Sequence, residues 1–423
     1  MTVNAAGAYD PVTHRVVRTT PRIAGLPGAV DGTVAGASAR ESTTALLLLF
    51  LSAELARDRK WFRRLWLTPV LIGPVVAGYG LLSYTPADTI MSVRHKLPGA
   101  GFGPFAYHGH AGTFLNLCLP ACLTVVFLTW RRRGNALAKA LALVGAALVL
   151  CGVVVNNSRA AQLIGAVIGL VVTFRLLAPA AGGRVGAADQ VPGGPRLLVR
   201  MAGAAVLALL VAGTALATTW QKWSMLPDQL TRGSPRLVMW RVGLHLLESA
   251  GPLGTGPGTY KVLYPLAPQE LLRDLYPVWV ARPYIPSEPA SLWSHAHNDY
   301  LQTAVEWGWV GAAAWLVILW GGTARALAGP GAPATLGEDL ARRWAVGIAL
   351  LGLCAHATVD IPMQLLSLQA YLAVYLGLAW GRRKTPPNPP TPPQVQGVER
   401  PVLRVAARVV ATRPAERETP RAC

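Results

Sequence analysis

Apolar runs long enough to cross or enter a bilayer recur along this chain, near residues 43–56, 65–84, 111–130, 136–155, 160–178, 201–219, 301–324, 344–360 and 363–380. A spanning helix needs roughly 20 mostly apolar residues, and in lipid every backbone N–H and C=O must be paired inside the segment, which favours helices. With 52% hydrophobic and 14% charged residues over 423 positions, a soluble class is excluded. The expected fold is an all-α polytopic membrane protein with about 9–10 transmembrane helices. The segment 43–56 is short for a crossing; a full span with the N-terminus outside and a re-entrant segment with the N-terminus inside both stand.

Basic residues set the orientation. Arg57, Arg59, Lys60, Arg63, Arg64, Arg131–Arg133, Arg184, Arg196, Arg200, Arg325, Arg342, Arg343 and Arg382–Lys384 all fall in loops on one side, which makes that side cytoplasmic. The excess of 39 Lys+Arg over 20 Asp+Glu, a net charge of +19, is accounted for in this way, so no nucleic-acid partner is expected. The opposite side receives 85–110, a turn at Asn156–Arg159, a loop over 220–300 and the turn around Asp360. Of five cysteines, Cys118, Cys122, Cys151 and Cys354 lie inside apolar runs and Cys423 is terminal, so no disulfide framework is expected. Three parts are expected: a polar, disordered segment 1–42 without a signal peptide, a transmembrane domain 43–380, and a Pro- and Arg-rich disordered cytoplasmic tail 385–423.

Sorting the polar membrane residues by side is informative. Lys139 and Arg175 sit near cytoplasmic span ends, where long side chains reach the interface. On the opposite side fall His108, His110, Asn116, Arg159, His295, His297, Glu306, His356 and Asp360. Ionisable groups gathered at one leaflet mark an expected polar cavity. His108 and His110 read as solvated members of a Gly-rich loop, and His356 with Asp360 as a pair closing the last two helices. Glu306 suits a helix N-terminus, and Gly254-Thr-Gly-Pro-Gly258 reads as a turn. The stretch Ser294-His-Ala-His-Asn-Asp299 resists such bland readings, although residues at i and i+2 diverge and one of His295 and His297 is expected to face the cavity. Residues 236–250 read as an amphipathic helix on which Arg241, His245 and Glu248 share a face, leaving Arg236 and Arg241 both open as phosphate ligands.

His297-Asn298, nine residues, then Gly308-Trp309-Val310-Gly311 resembles the signature of the O-antigen ligase family, which includes ligases, polymerases and protein O-oligosaccharyltransferases. Ser158-Arg159, the run through Arg236, Trp240, Arg241, Gly254, Gly256, Gly258 and Tyr260, and Gly112-Thr-Phe-Leu-Asn116 are similar to further family segments; the likeness covers about 110–380. It departs from the family in its small helix number and in Ala312-Ala313-Ala314 after the Gly-x-x-Gly, where lipopolysaccharide ligases often carry a hydroxyl residue.

The resemblance implies a GT-C-like glycosyltransferase in the broad sense, multi-pass in the bacterial inner membrane. It implies transfer of a glycan from undecaprenyl diphosphate to a glycolipid, polysaccharide or protein acceptor at the outer face, with no metal or cofactor. The residues fit that chemistry independently. Arginines Arg159 and Arg241 (or Arg236) neutralise the diphosphate, and His297 takes the acceptor's proton. Asn298 or Asp299 is expected to orient it, with His295, Glu306 and Asp360 supporting. No carboxylate pair of the retaining kind is evident, so inversion is expected. A polymerase is the close alternative and a protein glycosyltransferase comes next. A small-anion transporter is the non-enzyme alternative, although no internal repeat is visible.

Overall fold

The computed structural model describes residues 4–10, 15–24, 28–83, 101–131, 135–177, 220, 223–224, 227, 235–264, 267–268, 271, 295–328 and 337–381. The chain divides into a unit over 1–383 and one over 384–423. The expected span at 201–219, most of the loop 220–300, and the tail lie outside the described residues.

A small antiparallel hairpin, β1 (Gly7–Asp10) and β2 (Arg15–Arg18), precedes an otherwise helical chain. The helices are α1 (Gly32–Leu55), α2 (Arg59–Ser83), α3 (His108–Arg131), α4 (Ala136–Val155) and α5 (Arg159–Leu177). They continue with α6 (Pro235–Ala250), the single turn α7 (Tyr260–Leu263), α8 (Asp299–Ala328), α9 (Gly337–His356) and α10 (Leu366–Trp380). Five of them, α1 to α4 and α8, are long and apolar enough to cross a membrane by length and composition, and α10 and most of α5 are shorter apolar helices. This is an all-α polytopic membrane protein.

Helix α3 occupies the centre. Phe114, Leu115, Leu117, Cys118, Leu119 and Cys122 are all buried, so it is apolar on every side, as a helix surrounded by other helices must be. Tyr375 of α10 donates to the Leu117 carbonyl at 2.6 Å, a pairing that keeps a phenol satisfied inside the bundle.

The expectation of a disordered segment through residue 42 needs correcting. Asp31 accepts from the Val34 N–H at 2.9 Å and caps a helix that begins at Gly32. Its opening Gly, Ala and Ser residues have low hydropathy, which hid it from a search for apolar runs, but small side chains suit close helix packing. Added Cβ atoms at Gly377 and Gly381 would strike Ser52 and Ala56, so α1 lies directly against α10. Helix α1 runs the length of the bundle, from Val34 and Ser38 beside Gly258 to Ala56 beside Gly381. The start of α1 therefore sits at the end that carries Gly258, and α1 is long and apolar enough to cross a membrane by length and composition.

Two ends result. At one, Asp339 is buried and receives Arg59 at 2.8 Å, Arg342 at 2.8 Å and Arg63 at 3.7 Å. Trp66 donates to the Arg342 carbonyl at 3.1 Å. These pairs allow α9 to begin at Gly337, seven residues before the apolar run that revealed it. At the other end lie the starts of α3, α5, α8 and α10 and the finish of α4 and α9. Helix α5 leads away from this end, and Trp223, which donates to Gln162 at 3.1 Å, is back at it.

Candidate active site

Helix α8 is broken one-third of the way along. Gly308 has φ +67° and ψ 176°, a conformation open to glycine, and a Cβ there would strike the Pro252 carbonyl and the Gly254 N–H. The segment 252–256 fills the break. Thr255 N–H donates to the Val305 carbonyl at 3.0 Å, Gly256 N–H to the Glu306 carbonyl at 2.9 Å, and Val310 N–H to Pro252 at 3.3 Å. The backbone groups freed by the kink thus find partners, as buried ones must. Glu306 completes the joint, its carboxylate accepting from Gly258 N–H at 2.7 Å, Tyr260 N–H at 3.2 Å and Gln302 Nε2 at 3.0 Å. Its place is inside the helix, holding a loop, and not at the N-terminus the sequence suggested.

Just before α8, His297 adopts φ +49°, the sole left-handed non-glycine among the described residues. Trp240 of α6 pins its carbonyl with an indole N–H at 3.2 Å, and Asn298 caps α8 by accepting from Leu301 N–H at 3.0 Å. Such a bridged, strained turn is common where a side chain must be aimed. His297 Nδ1 lies 3.5 Å from Asp360 Oδ1.

Asp360, in the turn after α9, gathers the rest. Its Oδ2 accepts from the Tyr107 hydroxyl at 3.0 Å and lies 3.7 Å from Arg236 Nη2 and 3.8 Å from His356 Nε2. Arg236 also donates to the Tyr107 oxygen at 3.2 Å. His356 Nδ1 meets the Thr113 hydroxyl at 2.8 Å. The Tyr107 ring packs on His108 and His110 at centroid distances of 4.6 Å and 5.1 Å. Burial works against the Asp360 charge, yet the nearby His297, His356 and Arg236 outweigh it and hold the carboxyl well below the usual range. Burial, with Asp360 next in importance, pushes the Tyr107 phenol up, so it remains a donor.

Several expectations change. Asn298 and Asp299, expected to orient His297, are engaged elsewhere: the first caps α8, and Asp299 accepts from Met363 N–H at 2.8 Å and Gln364 Nε2 at 3.1 Å, fixing the 3-10 turn Pro362–Gln364. Asp360 lies beside His297, Tyr107 and Arg236 as well as His356, where a closing pair with His356 alone was expected. His108 and His110 open α3 instead of lying in a solvated loop. Of the two arginines on α6, Arg236 meets the cluster while Arg241 is exposed on the face it shares with His245 and Glu248. Arg159 begins α5, within electrostatic reach of Arg236. His295 belongs to a separate chain of contacts through Gln302. Ser294 lies outside the described residues. Tyr107 escaped the sequence reading, and neither Gln302 nor Thr113 was picked out as a site residue. Gln302 had a signal, its place one helical turn before Glu306; Tyr107 and Thr113 are recognisable only through partners about 250 positions away.

The fold and the cluster define a polytopic membrane protein whose polar, ionisable residues converge at one end of the bundle. Residues 144–316 are similar to the family model described as O-Antigen ligase. That stretch holds Arg159, Arg236, His295, His297 and the Gly308 break, while Tyr107 and Asp360 join it from outside. No curated protein matches the chain. That similarity supports, broadly, a function of the O-antigen ligase or polymerase type, for which a lipid-linked glycan and an acceptor are the general partners.

Proposed function

We propose that the protein transfers a glycan from undecaprenyl diphosphate to an acceptor hydroxyl at the extracytoplasmic face of the inner membrane. The observation that carries this reading is the convergence of His297, Asp360, Tyr107 and Arg236 on one point at the bundle end away from the basic loops. A carboxylate accepts but does not donate, so the His297 proton belongs on Nδ1, towards Asp360, and Nε2 carries the lone pair. Nε2 takes the acceptor hydroxyl's proton as its oxygen attacks the anomeric carbon. The bond from that carbon to the diphosphate oxygen breaks, and its electron pair leaves on undecaprenyl diphosphate. Asp360 balances the imidazolium formed, which later returns its proton to water.

Arg236 and Arg159 neutralise the charge that grows on the leaving oxygen, the contribution that is commonly largest in such sites. Tyr107 fixes the Arg236 guanidinium. One displacement inverts the anomeric centre, and no metal is needed for it. The outer location follows from the positive-inside rule, because the opposite end holds Arg57, Arg59, Arg63, Arg64, Arg342 and Arg343.

The test is reconstitution of purified protein with undecaprenyl-diphosphate-linked oligosaccharide and, in turn, a glycolipid, a polysaccharide and a peptide hydroxyl acceptor. Acceptor-dependent release of undecaprenyl diphosphate, with one glycan added per acceptor, is expected for a ligase. A ladder of lengthened lipid-linked products would make it a polymerase. Absence of release with every acceptor would overturn the reading.

A further inference from the structure

The two histidines of the His-Ala-His stretch are held in opposite ways, and only His297 has a part in the transfer described above. His295 meets Gln302, whose amide has one permitted orientation. Its Oε1 accepts from the Ala296 backbone N–H at 3.2 Å, and its Nε2 donates to Glu306 at 3.0 Å. The remaining contact, Gln302 Nε2 to His295 Nδ1 at 3.2 Å, therefore runs from the amide N–H to a ring lone pair. The proton of a neutral His295 then sits on Nε2. Burial keeps the ring neutral, drawing its pKa down to about 4. Among the described residues no hydrogen bond engages that Nε2–H. His295 also lies close enough to His297 and His110 to feel their charge, which puts it beside the same cluster.

A neutral N–H within electrostatic reach of a second imidazole is the complement of a sugar: one group donates to a hydroxyl oxygen, the other accepts a hydroxyl proton. A diphosphate dianion is better served by the arginines. Building on the transfer reading, we propose that His295 is an acceptor-binding residue, donating Nε2–H to a hydroxyl oxygen of the incoming glycan next to the hydroxyl that His297 deprotonates.

Two measurements test it. Initial rates with the acceptor that supports turnover are compared for wild type, His295→Phe, His295→Gln and His297→Ala. His295→Phe should raise the acceptor KM about tenfold, the effect of one lost hydrogen bond, with the donor KM within about twofold. His295→Gln, which keeps an N–H, should recover most of the loss, and His297→Ala should abolish turnover. An unchanged acceptor KM in His295→Phe, or a change in donor KM instead, sinks the His295 role; with His297→Ala still inactive, the transfer reading survives it. Nitrogen-15 spectra of histidine-labelled protein in liposomes give an answer independent of activity, with the His295 signal identified by its loss in His295→Gln. The expected form is a neutral ring protonated on Nε2, and an Nδ1–H tautomer or an imidazolium at pH 7 overturns the proposal whatever the enzyme transfers.

Discussion

At the scale of residues, position relative to Asp360 separates functional groups from bystanders that look alike in the sequence. Arg236 and Arg241 lie five positions apart on one helix, yet only Arg236 reaches the carboxylate, at 3.7 Å, while Arg241 faces outward with His245 and Glu248. Arg236→Ala is expected to lower kcat/KM for transfer by about 100-fold, in line with loss of one charge-stabilising donor, and Arg241→Ala by no more than about threefold. Steady-state rates on the two variants check this; equal losses would contradict it. His295 adds a pH dependence. Its native pKa of about 4 lies below the unfolded value of about 6.5. Below about 6.5 the unfolded chain binds a proton that the native state refuses, so this contribution is present above that pH and is lost as pH falls towards 4. The melting temperature of wild type should fall more steeply than that of His295→Gln between pH 6.5 and 4, and parallel curves would contradict the assignment.

At the scale of elements, the Gly-x-x-Gly signature is a joint. Gly308 lets α8 break so that segment 252–256 can enter, and Glu306 ties the Gly-rich loop to the helix that His297 precedes. Gly308→Ala places a methyl against the Pro252 carbonyl at a positive φ, so a loss of several kcal/mol and of activity together is expected, in the range of severe steric substitutions. Chemical denaturation of the detergent-solubilised variant measures it; wild-type stability would show that the joint has no such demand. Elements were legible in the sequence to the extent that they are apolar. The runs near 111–130 and 136–155 match α3 and α4 closely, because burial in lipid and burial in protein ask for the same residues. The start of α1 is built of Gly, Ala and Ser, and the start of α9 of paired charges, so hydropathy passed over both. Of the groups gathered at this end, His297, Arg236, Arg159 and Asp360 can be picked out in the sequence. Their wiring cannot, since Tyr107 and Asp360 stand 253 positions apart and only the packing of α3 against α9 joins them.

At the scale of the whole molecule, the full length of α1 separates its Gly32 start from the Arg57–Arg59 turn, and the candidate site groups share the end where α1 starts. Cysteines introduced at exposed Thr20 and Asp58, in a background lacking Cys151 and Cys423, should divide accordingly. A membrane-impermeant maleimide added to intact spheroplasts should label position 20 and leave position 58 untouched until the membrane is opened. The reverse pattern would put the site on the cytoplasmic side and remove access to an exported glycan.

The most direct measurement is a double-mutant cycle between His297 and Asp360 in the reconstituted transfer reaction. His297→Ala and Asp360→Asn should each lower kcat/KM by at least roughly 100-fold, the usual contribution of a general base, and the double variant should fall no further than His297→Ala alone. Losses that multiply, or a His297→Ala enzyme within a few fold of wild type, would contradict a base held in place by Asp360.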